Sequence, residues 1–271
     1  MGYEQVVYET HDGVATVTLN RPDKLNAWTQ VMGREVRAAM DEAARDAHAR
    51  VIVLTGAGRG FCAGADMSLL SGISGGEEVA RPPVPAGTDE GTRADFRGPY
   101  AYFPAIPKPI IGALNGPTAG LGLVVALYCD VRFASDAAVF TTSFSRRGLI
   151  AEHGISWMLP RLVGLPHALD LMLSARKIDA AEALRMGLVN RVVPHAELMP
   201  AVRAYAQELA QLVSPRSMAV MKRQLWEAQF QTLAEATAVA DEEMTRSFGT
   251  ADFKEGVAHF VEKRPPHFTG A

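Results

Sequence analysis

Apolar and polar positions alternate along residues 14–20, with Val14, Thr16 and Thr18 set against Ala15, Val17 and Leu19. The preceding His11-Asp12-Gly13 has turn chemistry, so this pattern predicts a hairpin with residues 5–9. A polar loop over 21–27 gives way to helical spacing, with Val31, Val36, Met40 and Ala43/Ala44 on one face. Residues 51–55 form a short continuous apolar run stopped by Gly56, the pattern of a strand buried on both faces. Residues 109–114 form another such run. The chain then bends at Gly116-Pro117 and opens through Gly120 and Gly122 into a third uninterrupted apolar segment. Strand, tight turn and buried helix is the reading of 109–129.

Beyond it, 131–134 and 139–142 read as strands, 154–162, 166–173 and 180–186 as helices, and 188–193 as a last strand. From His195 the composition shifts to helix formers, giving helices over 201–212, 215–230, 232–248 and 252–260, with Pro215 at a first helical position. Strands alternating with helices imply crossover units and a mostly parallel sheet. The helical tail has two fits, against its own body or against a neighbouring subunit. Residues 71–99, rich in glycine and proline, have the composition of a mobile or lid-like loop that orders on substrate binding.

Composition narrows the classes. A chain of 271 residues can bury a substantial core, as one large domain or a domain with an appendage. A net charge of −3 gives no electrostatic case for nucleic acid or an anionic membrane surface, though a local basic patch for a small anion stays open. Two cysteines, Cys62 and Cys129, both in apolar surroundings, argue against a disulfide framework or a cysteine metal site and fit a reducing compartment. The first residues are acidic and lack an apolar core, unlike a signal peptide, and no apolar run is long enough to span a bilayer. A cytoplasmic location is expected.

The helix start after Gly120 presents backbone N–H groups in a field that favours negative charge, and its glycines permit close approach. As residues alone, this segment and Ala63-Gly64-Ala65-Asp66 also fit two ordinary glycine turns before helices, with Asp66 capping the helix from Met67.

Taken together, the segments resemble the crotonase superfamily, the enoyl-CoA hydratase/isomerase fold. The matching pieces run in order through Asn20-Arg21-Pro22, Leu25-Asn26-Ala27, Val53-Leu54-Thr55-Gly56, Phe61 to Asp66, Lys108-Pro109, Ala113 to Gly116, Cys129-Asp130, Leu159 to Gly164, Gly187 to Asn190 and Phe260 to Pro265. The resemblance implies an α/β fold: a crotonase-like spiral of ββα units over 1–195, then a helical trimerisation region over 196–271. It also implies trimers, often paired into hexamers, and an acyl-CoA substrate.

In that family an enolate is stabilised by two backbone N–H groups, which by motif position fall on Ala65 and Leu121. The resemblance places Lys24, Leu25 and Ala27 near the adenine and phosphate end of CoA, and Ala63 and Met67 along the pantetheine. It draws Phe260 and Lys263 from a neighbouring subunit. Asp66, Gly120 and Phe144 join the expected substrate contacts. Trp157, like Phe144, fits either an acyl pocket or plain core. No metal or redox cofactor is implied.

The sequence departs from the family's two-glutamate hydratases at both positions, which fall on Val124 and Phe144. Neither residue transfers protons. Glu152, where some crotonase-like isomerases carry their acid, is the remaining candidate, and a single carboxylate suffices to move a proton from C2 to C4. On its own chemistry, Glu152 also fits a residue placed to favour a helix dipole. His153 reads as a surface or capping histidine, and Arg146-Arg147 as a surface pair. A 3-enoyl- to 2-enoyl-CoA isomerase is therefore the leading expectation. A hydratase using Glu152 with an unidentified second group, and a protein that binds acyl-CoA without catalysis, are the alternatives.

Overall fold

The computed structural model describes residues 2–76 and 92–271. The chain begins with the expected hairpin, β1 (Val6–His11) against β2 (Val14–Leu19), closed by Asp12-Gly13 with both residues at positive φ. Helix α1 (Gln30–Arg45), capped by the Thr29 hydroxyl accepting from Met32 N–H, leads into β3 (Val51–Gly56). After α2 (Met67–Ser74) come β4 (Ile110–Leu114), the two-residue β5 (Thr118–Ala119) and α3 (Leu121–Leu127). Strands β6 (Val131–Ser135) and β7 (Val139–Thr141) precede α4 (Ile155–Val163) and α5 (Leu165–Ser174). Then follow β8 (Ile178–Asp179), α6 (Ala180–Arg185) and β9 (Arg191–Val193). The chain closes with α7 (Leu198–Leu212), α8 (Pro215–Glu227), α9 (Leu233–Phe248) and α10 (Ala251–Glu262).

Six strands form one sheet in the order β1-β2-β3-β4-β6-β9, parallel except for the first hairpin; β5, β7 and β8 form a second, smaller sheet. The continuous apolar runs are explained by what lies on each face. Ile52 and Leu54 of β3 pack with Met32, Val36 and Met40 of α1, while Val51 and Val53 face the opposite way onto Leu198, Val202 and Ala206 of α7. The period-two alternation of a strand thus feeds two apolar layers. Helix α7, the first long helix after residue 195, covers the sheet's second face.

Helix α8 is tied to the body by Asp130. Its carboxylate pairs with the buried Lys222 ammonium at 2.7 Å, and it accepts from Trp226 Nε1 at 3.1 Å and from Ile110 N–H at 2.7 Å. Helices α9 and α10 instead leave Leu233, Phe248, Val257, Phe260 and Val261 exposed.

Three elements differ from expectation. The last strand starts at Arg191 because Leu188 and Val189 N–H groups turn back to the Ala183 carbonyl, closing α6 around Gly187 at φ 80°. Residues 228–230 tighten into a 3₁₀ turn after α8, so the helix expected over 215–230 ends at Glu227. The expected loop over 71–99 includes the end of α2 and a 3₁₀ turn at Ala94–Phe96, and its residues 77–91 lie outside those described.

Candidate active site

Two buried asparagines set the loops that frame the site. Asn26 donates its Nδ2 to the carbonyls of Ala57 and Gly60 and accepts from Arg21 N–H at 2.8 Å. Asn115 donates to Gly58 and Gly60 carbonyls at 2.9 and 3.2 Å. Together they hold the glycine loop over 56–60 against both the 21–27 loop and the end of β4. Leu25 and Asn26 sit at positive φ there, a strained pair that this network maintains.

The chain beyond that loop runs between two partners. On one side, Trp28 N–H donates to Gly64 O at 2.7 Å and Asp66 N–H donates to Trp28 O at 2.9 Å. On the other, Cys62 pairs with Thr118 of β5 through Cys62 N–H to Pro117 O and Ala119 N–H to Cys62 O. A trans peptide points its N–H opposite to its C=O. Because Gly64 O faces Trp28, the Ala65 N–H faces away from it. Because Gly120 O accepts from Val124 N–H inside α3, the Leu121 N–H points out of the helix start. Among the described residues neither N–H has a protein acceptor.

Glycines allow these segments to meet. A Cβ on Gly64 would lie 3.0 Å from Ala119 O and 3.8 Å from Gly120 Cα, and one on Gly122 would collide with Cys62, 2.7 Å from its Cβ. Gly64 and Gly120 adopt φ 98° and 50°, conformations that favour glycine. Cys62 is fully buried and burial pushes its thiol up to about 12, so it stays protonated and unreactive.

Asp66 caps α2, accepting from Ser68 N–H at 3.0 Å, and pairs with Arg21 at 2.8 Å. These donors, Ser68 N–H foremost, hold its carboxyl near 2. A carboxylate so held does not exchange protons near neutral pH, which fits the capping reading.

The carboxyl of Glu152 lies half-buried just before α4, and burial pushes its pKa up from the ordinary value. His153 is exposed, as expected of a surface histidine, but it is also turned toward the acid: its Nε2 lies 3.5 Å from Glu152 Oε2 and its ring packs edge-on to Tyr100 at 4.7 Å. The cause is the turn: His153 and Gly154 are both at positive φ, and Tyr128 Oη donates to His153 O at 3.0 Å, fixing the bend. Burial lowers the imidazole's pKa, so near neutral pH a carboxyl sits beside a neutral ring.

Tyr100 joins the two halves. Its ring meets Trp28 edge-on at 5.9 Å on the Ala65 side and His153 on the Glu152 side. Burial, then the nearby Cys62 and Glu152, push its hydroxyl up to about 12, so it is a neutral donor. Tyr100, Tyr128 and Trp28 were not anticipated as site residues. They lie far apart in sequence, and only the fold joins them through Tyr100 and His153.

The other expected residues divide. Val124 and Phe144 are 1% and 4% exposed, inside the main core. Leu25, Ala27 and Ala63 flank the framed loop, with Ala63 N–H donating to Leu25 O at 3.0 Å; Lys24 and Met67 are exposed nearby in sequence. Phe260 and Lys263 sit at the exposed end of α10 and form no hydrogen bond or ion pair with the groups above. Arg146 and Arg147 are exposed, as expected.

Comparison with known proteins converges on one family. The enoyl-CoA hydratase/isomerase family model matches residues 9–271. A Rhodobacter capsulatus protein named "Probable enoyl-CoA hydratase" is 38% identical over the whole of both chains. The 1,2-epoxyphenylacetyl-CoA isomerase of Escherichia coli K12 is 34% identical over 98% of this chain and 99% of its own. The crystal structure of an enoyl-CoA hydratase/isomerase from Mycobacterium paratuberculosis superposes with a TM-score of 0.87 at 29% identity, covering both chains completely. Sequence and fold agree along the full length: the chain belongs to the enoyl-CoA hydratase/isomerase family, within the crotonase superfamily.

Proposed function

We propose that the protein is an acyl-CoA isomerase that moves a double bond from the 3- to the 2-position of an enoyl thioester, with Glu152 as its single acid/base. The carboxylate takes the C2 proton, and the electron pair flows onto the thioester oxygen as a dienolate. The N–H groups of Ala65 and Leu121 hold that oxygen. Protonation at C4 by the same carboxyl leaves the double bond between C2 and C3. The shift is redox-neutral, and one base completes it. A preorganised donor of this kind is worth about 3 kcal/mol in the transition state.

The observation that carries the reading is the contrast between buried Val124 and Phe144 and the raised carboxyl of Glu152. The two motif positions for hydration carry no acid, while the remaining acid sits in surroundings that strengthen it as a base. Lys24, Phe260 of α10 and Lys263 just after it complete the proposal as CoA contacts, the latter pair reaching a neighbouring subunit. The exposed apolar residues of α9 and α10 support self-association through this helical face, and the proposed assembly is a homotrimer or a pair of trimers.

A hydratase is the second reading, favoured by His153 Nε2 at 3.5 Å from the Glu152 carboxyl, which supplies a second polar group for a water. A panel of 2-enoyl, 3-enoyl and dienoyl thioesters followed by ultraviolet absorbance separates the two. Appearance of 2-enoyl product from the 3-enoyl substrate supports the isomerase; hydration of the 2-enoyl thioester with no shift overturns it. Reaction with none of them leaves acyl-CoA binding alone.

A further inference from the structure

Next to the Tyr100–His153 contact lies a cavity of about 340 Å³ whose lining includes Phe96, Tyr128, Trp157, Trp226 and Phe230. Trp157 stacks on Phe230 at 5.3 Å and 10° and on Trp226 at 6.4 Å and 19°. Phe96 stands edge-on to both Trp226 and Phe230, at 6.2 and 5.9 Å. Four separated parts of the chain, residues 95–104, Tyr128, residues 153–157 and residues 226–230, converge to build this box.

Two of its polar tips are engaged elsewhere. Trp226 Nε1 donates to Asp130, and Tyr128 Oη donates to His153 O. A Cβ at Gly154 would strike the Tyr128 hydroxyl, so the turn beneath the box is shaped around that ring. What these two side chains offer a guest is ring surface.

The charge pattern narrows the guest further. Arg93 lies 4.6 Å from the Phe230 ring centre and Arg161 3.9 Å from that of Trp157. Arg93 is in turn paired at 2.9 Å with Asp95, which lines the cavity, and Arg161 is held over the Trp157 ring, so a charged guest would have to compete with contacts already made. A neutral guest does not.

We infer that this cavity receives the acyl end of the substrate and selects a neutral arylacyl thioester, one aromatic ring carried on a short chain, over a straight aliphatic chain of similar length. The inference rests on the proposed acyl-CoA reaction at Glu152, because it uses the Tyr100–His153 wall as the passage from reacting carbons to box. A dry apolar cavity of about 150 Å³ is enough for one benzene ring, so this volume takes a ring together with its linking carbons. Ring edges and faces offered at these angles favour an aromatic guest, because the quadrupoles of aromatic pairs prefer edge-to-face and offset contact.

The test is binding of two unreactive thioesters, 5-phenylpentanoyl-CoA and octanoyl-CoA, to the full chain by calorimetry. It is repeated with Trp157→Leu and with Phe230→Leu, the second a milder change at a partly exposed residue. The expected result is at least a tenfold tighter Kd for the phenyl thioester, shrinking toward equality in both variants. Equal or weaker binding of the phenyl thioester overturns the inference, as does a preference that survives both substitutions, or binding of neither thioester. Turnover of the corresponding 3-enoyl thioesters is measured alongside. A phenyl preference without any double-bond shift sinks the isomerase reading and leaves the box; a shift without the preference does the reverse.

Discussion

The Nε2 of His153 lies 3.5 Å from the Oε2 of Glu152, on a turn whose two successive positive φ values are held by the Tyr128 hydroxyl. The pair is half-shielded from water, and burial acts on its members in opposite senses: it raises the carboxyl and lowers the imidazole. Both shifts favour neutral forms. The result is a carboxyl whose affinity for a proton is brought closer to that of a carbon acid's conjugate base.

The pH profile follows from that direction. The base must be ionised, so kcat/KM for the double-bond shift is expected to rise through an acid limb lying above 4.5, the ordinary glutamate value. His153→Ala admits water beside the carboxyl, and the limb is expected to move down toward that value. A limb at or below 4.5 in the wild-type protein would remove the half-buried carboxyl from the rate.

Stability carries a complementary signature at Asp66. Its pKa is depressed to about 2 by Ser68 N–H and by Arg21. A depressed carboxyl contributes stability that is present above its ordinary 3.8 and is lost as pH falls toward 2. Asp66→Asn is expected to cost ~2 kcal/mol near neutral pH. The difference from wild type should close below pH 3 in denaturant titrations.

Gly122 tests the meeting of α3 with the strand-like segment at Cys62. Any Cβ there meets Cys62, so Gly122→Ala must push the helix start outward. Overpacking of this kind costs about 1–3 kcal/mol, and a displacement near 1 Å costs about 10²-fold in rate. A variant with wild-type turnover would show that the Leu121 N–H need not be held where it is.

Assembly is testable at Phe260, 79% exposed on α10. Phe260→Asp is expected to convert a trimer or hexamer into smaller species in sedimentation and to weaken CoA binding together with it. A monomeric wild-type protein that binds CoA tightly would contradict the proposed use of a neighbour's α10.

Much of the architecture could be read from the sequence because strong local signals coincided with the final packing. The run at 51–55 is apolar throughout because α1 covers one face and α7 the other, and Asp66 has the local chemistry of a cap. The two-residue strands β5 and β8 had no such signal; they exist because Thr118 and Ile178 find partners in β7. The candidate site could be proposed from sequence where glycines and a lone acid stood out, at Gly64, Gly120 and Glu152. It was not legible at Tyr100, Trp28 and Tyr128, whose role depends on ring contacts made across long stretches of chain. The approach of His153 to Glu152 has no signal in residue type, because it depends on two successive positive φ values.

The central claim is that Glu152 moves the proton. The direct measurement is the rate of 2-enoyl-CoA formation from a 3-enoyl-CoA by Glu152→Gln, with thioester affinity measured on the same sample. The account predicts a loss of about 10²–10⁴-fold in rate with affinity unchanged within a few-fold, since the amide keeps the shape and loses only the base. A variant that shifts the double bond at the wild-type rate would contradict it.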